Sequence, residues 1–86
     1  MPTVYLVECN DGSFYTGWTT NLEKRIATHN KGLGARYTRS RIPVALRYAE
    51  EVPDKRTALK REYQIRKMKR IQKQALSETY TDRKQE

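Results

Sequence analysis

Residues 3–19 constrain this chain more than any other stretch. Thr3-Val4-Tyr5-Leu6-Val7-Glu8-Cys9 and Ser13-Phe14-Tyr15-Thr16-Gly17-Trp18-Thr19 are two β-rich runs, and Asn10-Asp11-Gly12 lies between them. That is the pattern of a β-hairpin. The loop length decides which side chains share a face. With Asp11-Gly12 as a two-residue turn, Tyr5 and Tyr15 would point to opposite sides. A three-residue loop puts Gly12 at the left-handed position of a bulge, where glycine is favoured. The register then pairs Cys9 with Ser13, Val7 with Tyr15 and Tyr5 with Gly17. We adopt this second register because it gathers Val4, Leu6, Phe14 and Trp18 on one core face. Tyr5, Val7, Tyr15 and Gly17 form the other face, with two phenols side by side above a glycine that leaves room for a ligand.

A helix follows. Thr20 and Glu23 have capping-box spacing, so Thr20 is the expected N-cap, and Gly32 ends the helix after about Lys31. Leu22, Ile26 and His29 fall on one stripe, and Arg25 and His29 are four apart, hence neighbours on one helix face. Residues 32–44 carry Gly32, Gly34 and Pro43 together with Arg36, Arg39 and Arg41, and read as an irregular loop with a basic rim that contains Tyr37. Residues 45–50 read as a third strand, with Leu46 and Tyr48 expected on one face. Pro53-Asp54 opens a second helix, with Asp54 as N-cap or first-turn acid. Its inner stripe is expected to hold Ala58, Leu59, Glu62, Ile65 and Met68. Glu62 is the anomaly, a carboxylate at a core-stripe position. A last short helix carries Ile71, Ala75 and Leu76. The domain is expected to span residues 1–76, with residues 77–86 a polar, disordered tail. The fold class expected is α+β, a small three-stranded antiparallel sheet flanked by helices.

The net charge of the 86 residues is +8. Between residues 55 and 73, Lys55, Arg56, Lys60, Arg61, Arg66, Lys67, Lys69, Arg70 and Lys73 face a single acid, Glu62. Such a surplus suits a polyanionic partner, and nucleic acid is the partner expected, with backbone phosphates neutralised and sequence left unread. A solvated helix face is the plainer reading of the same run. Tyr37, Arg36, Arg39, Lys60, Arg66 and Lys67 are the nucleic-acid-binding candidates. Cys9 is the only cysteine, which fits a reducing, cytoplasmic setting. No N-terminal run has signal-peptide form, and no apolar run is long enough to span a membrane, so no membrane role is expected.

Val4-Tyr5-Leu6 and Tyr15-Thr16-Gly17, followed by Arg25, His29, Tyr37 and Glu62 in that order, resemble the signature of the GIY-YIG nuclease superfamily. The resemblance covers about residues 3–76 and is nearest to its small, single-domain bacterial members. The first tripeptide lacks the glycine and isoleucine of the motif, the second has Thr16 for isoleucine, and no asparagine follows Asn30. The resemblance implies a three-stranded antiparallel sheet flanked by helices and divalent-metal-dependent hydrolysis of phosphodiester bonds; DNA is expected as substrate ahead of RNA, a choice the sequence leaves open.

On that resemblance, Glu62 would be the protein ligand of one Mg²⁺ or Mn²⁺. Its plainer reading is a helix acid paired with Lys55 or Arg66. Arg25 would hold the scissile phosphate, a task that suits a planar guanidinium; otherwise it pairs with Glu23 or Asp11. Tyr5 would receive or relay the proton of the attacking water, with His29 taking it onward. Tyr15 would orient phosphate or water, and Tyr37 would touch phosphate or pin its loop. Ordinary strand aromatics are the alternative for the two strand tyrosines. Two functions stay open: an endonuclease acting on DNA, with selectivity for DNA structure, and a binding module of the same fold that cuts little without a protein partner. A protein-interaction module with a basic surface is a third.

Overall fold

A computed structural model describes residues 1–84 of the chain. Three strands, β1 (Thr3–Glu8), β2 (Phe14–Thr19) and β3 (Ala45–Glu51), form an antiparallel sheet in the order β2-β1-β3. Four helices complete the fold: α1 (Leu22–Asn30), α2 (Arg36–Arg39), α3 (Lys55–Arg66) and α4 (Arg70–Lys84). The α+β class with a three-stranded antiparallel sheet is the one expected.

The hairpin has the three-residue loop. Tyr5 pairs with Gly17 and Val7 with Tyr15, and Gly12 has a φ of 86°. The Asp11 side chain accepts from the Ser13 amide at 3.0 Å and from Arg41 Nε at 3.0 Å, so the loop is tied to the segment before β3. Both sheet faces are covered, not one. Val4 and Leu6 pack with Ala58 and Ile65 of α3, joined by Phe14, Trp18, Tyr48 and Leu76. Tyr5 and Val7 pack with Cys9 and Val44 on the other side, beneath Leu22 and Ile26 of α1. The central strand is thus buried on both faces, which explains why Val4-Tyr5-Leu6-Val7 shows no polar alternation.

Several local expectations are corrected. Asn21, not Thr20, caps α1, its side chain accepting from the Lys24 amide at 3.1 Å. The Asn21 amide in turn donates to Thr19 Oγ1, which moves the start of the helix by one residue. Residues 36–39 form a helical turn inside the loop read as irregular. Leu46 and Tyr48 lie on opposite faces, because a bulge leaves Arg47 without a partner while Leu6 pairs with Tyr48 and Val7 with Leu46. Asp54 caps α3 as expected, accepting from the Thr57 amide at 2.8 Å. Leu59 turns outward and is 46% exposed, and Ile71 is 75% exposed. The inner stripe of α3 is Ala58, Glu62 and Ile65 at i, i+4, i+7. The segment read as a tail from residue 77 continues α4 instead, with Ser77 buried and Tyr80 edge-on to Tyr48 at 6.0 Å. The last two positions of that expected tail, 85 and 86, lie outside the described residues. Among the described residues no helix is long and apolar enough to cross a membrane.

Candidate active site

The α1 face of the sheet buries polar groups at its centre. Tyr5, 1% exposed, projects across Gly17; a Cβ there would stand 2.6 Å from the Tyr5 hydroxyl. The space left by Gly17 therefore holds the chain's own phenol rather than a ligand. The Tyr5 hydroxyl lies 2.8 Å from His29 Nε2, and Arg25 Nε donates to it at 3.4 Å. Arg25 and His29 reach it together because they are one turn apart on α1. Among the described residues Arg25 has no acidic partner; Asp11 pairs with Arg41 instead.

His29 is fully buried. Its second nitrogen, Nδ1, lies 2.8 Å from Thr38 Oγ1 of α2, and Thr38 is fully buried too. Gly34 lies flat against the imidazole, and a side chain there would fall well inside contact distance of Nδ1. The Tyr15 ring meets His29 edge-on at 5.5 Å, and Tyr37 stacks on Tyr15 at 6.0 Å with an interplanar angle of 18°. The Arg41 guanidinium lies over the Tyr37 ring, 4.0 Å from its centroid.

Burial raises the Tyr5 pKa, against the pull of the Arg25 hydrogen bond and charge. Burial, and then the charge of Arg25, lowers the His29 pKa. Both groups are therefore neutral at pH 7, a phenol bearing its proton beside an imidazole able to take one.

Glu62 comes from α3, on the opposite side of the sheet. It makes no hydrogen bond to the tyrosines, but its charge is near enough to raise the Tyr5 pKa. Its side chain is 16% exposed, and Arg66 Nη2 lies 3.1 Å from Oε2. Oε1 takes no hydrogen bond from a described residue. Among the described residues no group of three or more His, Cys, Asp or Glu side chains could hold an ion. One hard oxygen ligand at a partly open position fits a Mg²⁺-type ion that keeps most of its water, and does not fit an all-protein cage.

Glu62 aside, the expected residues fall into three sets. Tyr5, Arg25 and His29 are joined by hydrogen bonds, with Tyr15 against the imidazole. Tyr37 and Arg66 come together with Tyr15, Phe14, Thr16 and Lys73 around a cleft of about 290 Å³ at the β2 edge. Arg36 and Arg39 are exposed on α2, and Lys60 is exposed on α3, while Lys67, also exposed, lies over the Tyr63 ring at 5.3 Å. Thr38, Gly34 and Asn30 were not anticipated. Asn30 clamps both the N–H and the C=O of Val44, at 2.6 and 3.1 Å, which fixes the chain's path into β3.

Paired strand tyrosines, a helix-borne arginine and histidine that meet one of them, and a carboxylate in a later helix stand in the order that the GIY-YIG resemblance implies. The chain belongs to the GIY-YIG family, since the model of the GIY-YIG catalytic domain matches residues 1–75. Its relatives include small UPF0213 proteins. One from Bacillus cereus is 57% identical over 70 residues, 81% of this chain and 73% of that one. Another, from Halobacterium salinarum, is 51% identical over 76 residues, 88% of this chain and 99% of that one. The solution structure of a UPF0213 protein from Bacillus halodurans matches with a TM-score of 0.57 at 41% identity, covering 92% of this chain and 85% of the other. A protein from E. faecalis matches with a TM-score of 0.59 at 38% identity, covering 92% and 84%.

Proposed function

We propose that this chain is a divalent-metal-dependent endonuclease that hydrolyses phosphodiester bonds in DNA. The observation that carries this reading is the meeting of Tyr5, Arg25 and His29 at one hydroxyl. Arg25 pairs with no acid among the described residues, so its guanidinium can hold the scissile phosphate and oppose the charge that builds in the transition state. Tyr5 carries its own proton at neutral pH, so it cannot act as a phenolate. It passes that proton to His29 Nε2 as it takes one from the attacking water, and the depressed pKa of His29 keeps the acceptor neutral and available. Tyr15 and Tyr37 form the wall of the cleft beside this point, and Arg66 and Lys73 supply cations for backbone phosphates. Glu62 would hold one Mg²⁺ or Mn²⁺, and when bound the ion supplies positive charge to the phosphoryl oxygens.

The Glu62–Arg66 pair favours a second reading, a nucleic-acid-binding module in which the acid is already neutralised and no metal is needed. One paired measurement separates the two: cleavage of single-stranded, duplex and branched DNA in Mn²⁺, and affinity in chelator, for the parent and Glu62→Gln. The nuclease reading expects Glu62→Gln to lose cleavage and to bind at least as tightly, since the basic surface gains net charge. Equal cleavage by both removes Glu62 from the metal site. Binding without cleavage by either selects the module.

A further inference from the structure

α2 is only four residues long, and three of them, Arg36, Tyr37 and Arg39, are exposed. The fourth, Thr38, turns inward and is fully buried against His29. A buried hydroxyl beside a buried imidazole leaves few ways to place the protons, and here the hydrogen bonds choose among them.

Neutral histidine carries one N–H, on either Nδ1 or Nε2. Consider first the proton on Nε2. The Tyr5 oxygen would then face two donors, that N–H at 2.8 Å and the Arg25 Nε–H at 3.4 Å, and its own O–H would have no acceptor among the described residues. For the hydroxyl of a residue that is 1% exposed that is costly. With the proton on Nδ1, every donor finds an acceptor. The Tyr5 O–H donates to Nε2, the Nδ1–H donates to Thr38 Oγ1 at 2.8 Å, and Thr38 Oγ1 donates to the Ala35 carbonyl at 3.0 Å. That carbonyl also accepts from the Thr38 and Arg39 amides, which anchors the end of the chain of bonds in the α2 backbone. Gly34 presses on the same ring from its Nδ1 side and restricts its tilt.

We propose that Thr38 is a positioning residue that holds His29 in its Nδ1–H form, so that Nε2 remains the bare acceptor facing Tyr5. The inference rests on the proton route proposed above for its value to the reaction, but not for its geometry. Thr38 touches neither the phosphate nor the reacting water; it acts through His29 alone. It accepts a hydrogen bond from the imidazole and thereby fixes which nitrogen is basic, the part that second-layer partners of histidine commonly play.

The test is nitrogen NMR of the imidazole in ¹⁵N-labelled protein at neutral to mildly alkaline pH, on the parent, Thr38→Val and Thr38→Ser. The parent is expected to show a protonated Nδ1 and an unprotonated Nε2. Thr38→Val removes the acceptor with little change of shape and should shift His29 toward the Nε2–H form; Thr38→Ser should restore the parent pattern. Cleavage should follow, falling by about 10–100-fold in Thr38→Val and recovering in Thr38→Ser. A parent protonated on Nε2 overturns the proposal, and so does a Thr38→Val that keeps the parent tautomer. If Thr38→Val does not fold, the parent and Thr38→Ser spectra decide. Spectra as expected with no cleavage by any of the three would leave Thr38 in its place and remove the nuclease reading instead.

Discussion

On one face of the sheet, Val4 and Leu6 meet Ala58 and Ile65 of α3, and all four are fully buried. On the other, Tyr5 meets His29 of α1, which Thr38 of α2 backs, and these three are buried just as deeply. The first face gains its stability from removing hydrocarbon from water, at about 25 cal/mol per Å². The second gains from the same source through Val7, Cys9 and Val44, but it also buries polar groups. It encloses a phenol, an imidazole and a hydroxyl, each of which contributes only about 1 kcal/mol net when paired and is a liability when not. Alternate residues of one strand, β1, serve both faces. A small domain with a limited core thus gives one inward position of its central strand, Tyr5, to a polar group, and it is there that Arg25 and His29 meet.

Breaking each face should give a different signature. The largest effect is expected from Leu6→Ala, which should cost about 2–5 kcal/mol of stability, a large part of what a domain of this size has. Denaturant unfolding would measure it, and a loss below about 1 kcal/mol would mean the α3 face is not the main core. Next comes Arg25→Lys, which keeps the charge and loses the planar fork. Cleavage should fall by about 10²–10³-fold while DNA affinity changes little; single-turnover cleavage beside a binding titration would check it. Unchanged cleavage would reduce Arg25 to a surface charge.

The smallest effect concerns pH. His29 has its pKa lowered in the folded state, so below the ordinary histidine value of about 6.5 the unfolded chain binds the proton first. Stability therefore falls as pH drops from that value to the lower folded one, and it has no histidine dependence above it. Thermal unfolding between about pH 7 and pH 5 should show a steeper decline for the parent than for His29→Gln. Parallel curves would mean that His29 is not held neutral.

How far the sequence predicts these two faces can be traced residue by residue. The hairpin was legible because Gly12 demands a left-handed position and because Val4, Leu6, Phe14 and Trp18 separate cleanly from Tyr5, Val7, Tyr15 and Gly17. That Arg25 and His29 share a helix face, and that Glu62 falls on the inner stripe of α3, was legible by helical spacing. The bulge at Arg47 was not, since nothing in residues 45–51 marks the extra residue, and it reversed the expected relation of Leu46 and Tyr48. Thr38 and Gly34 were hidden because their importance lies in one tertiary neighbour, His29, several residues away along the chain. Likewise α4 extends past Leu76 because Ser77 and Tyr80 find places against the fold, which a polar composition alone does not reveal.

The contrast between the two faces reduces to one oxygen, the Tyr5 hydroxyl. Tyr5→Phe keeps the ring that fills the space over Gly17 and removes only the group shared by His29 and Arg25. The decisive measurement is cleavage rate and unfolding free energy on the same preparations of parent and Tyr5→Phe. The account predicts a cleavage loss of about 10²–10⁴-fold with a stability loss of only about 1–3 kcal/mol, from the imidazole left unpaired. A Tyr5→Phe protein that cuts DNA at the parent's rate would contradict it.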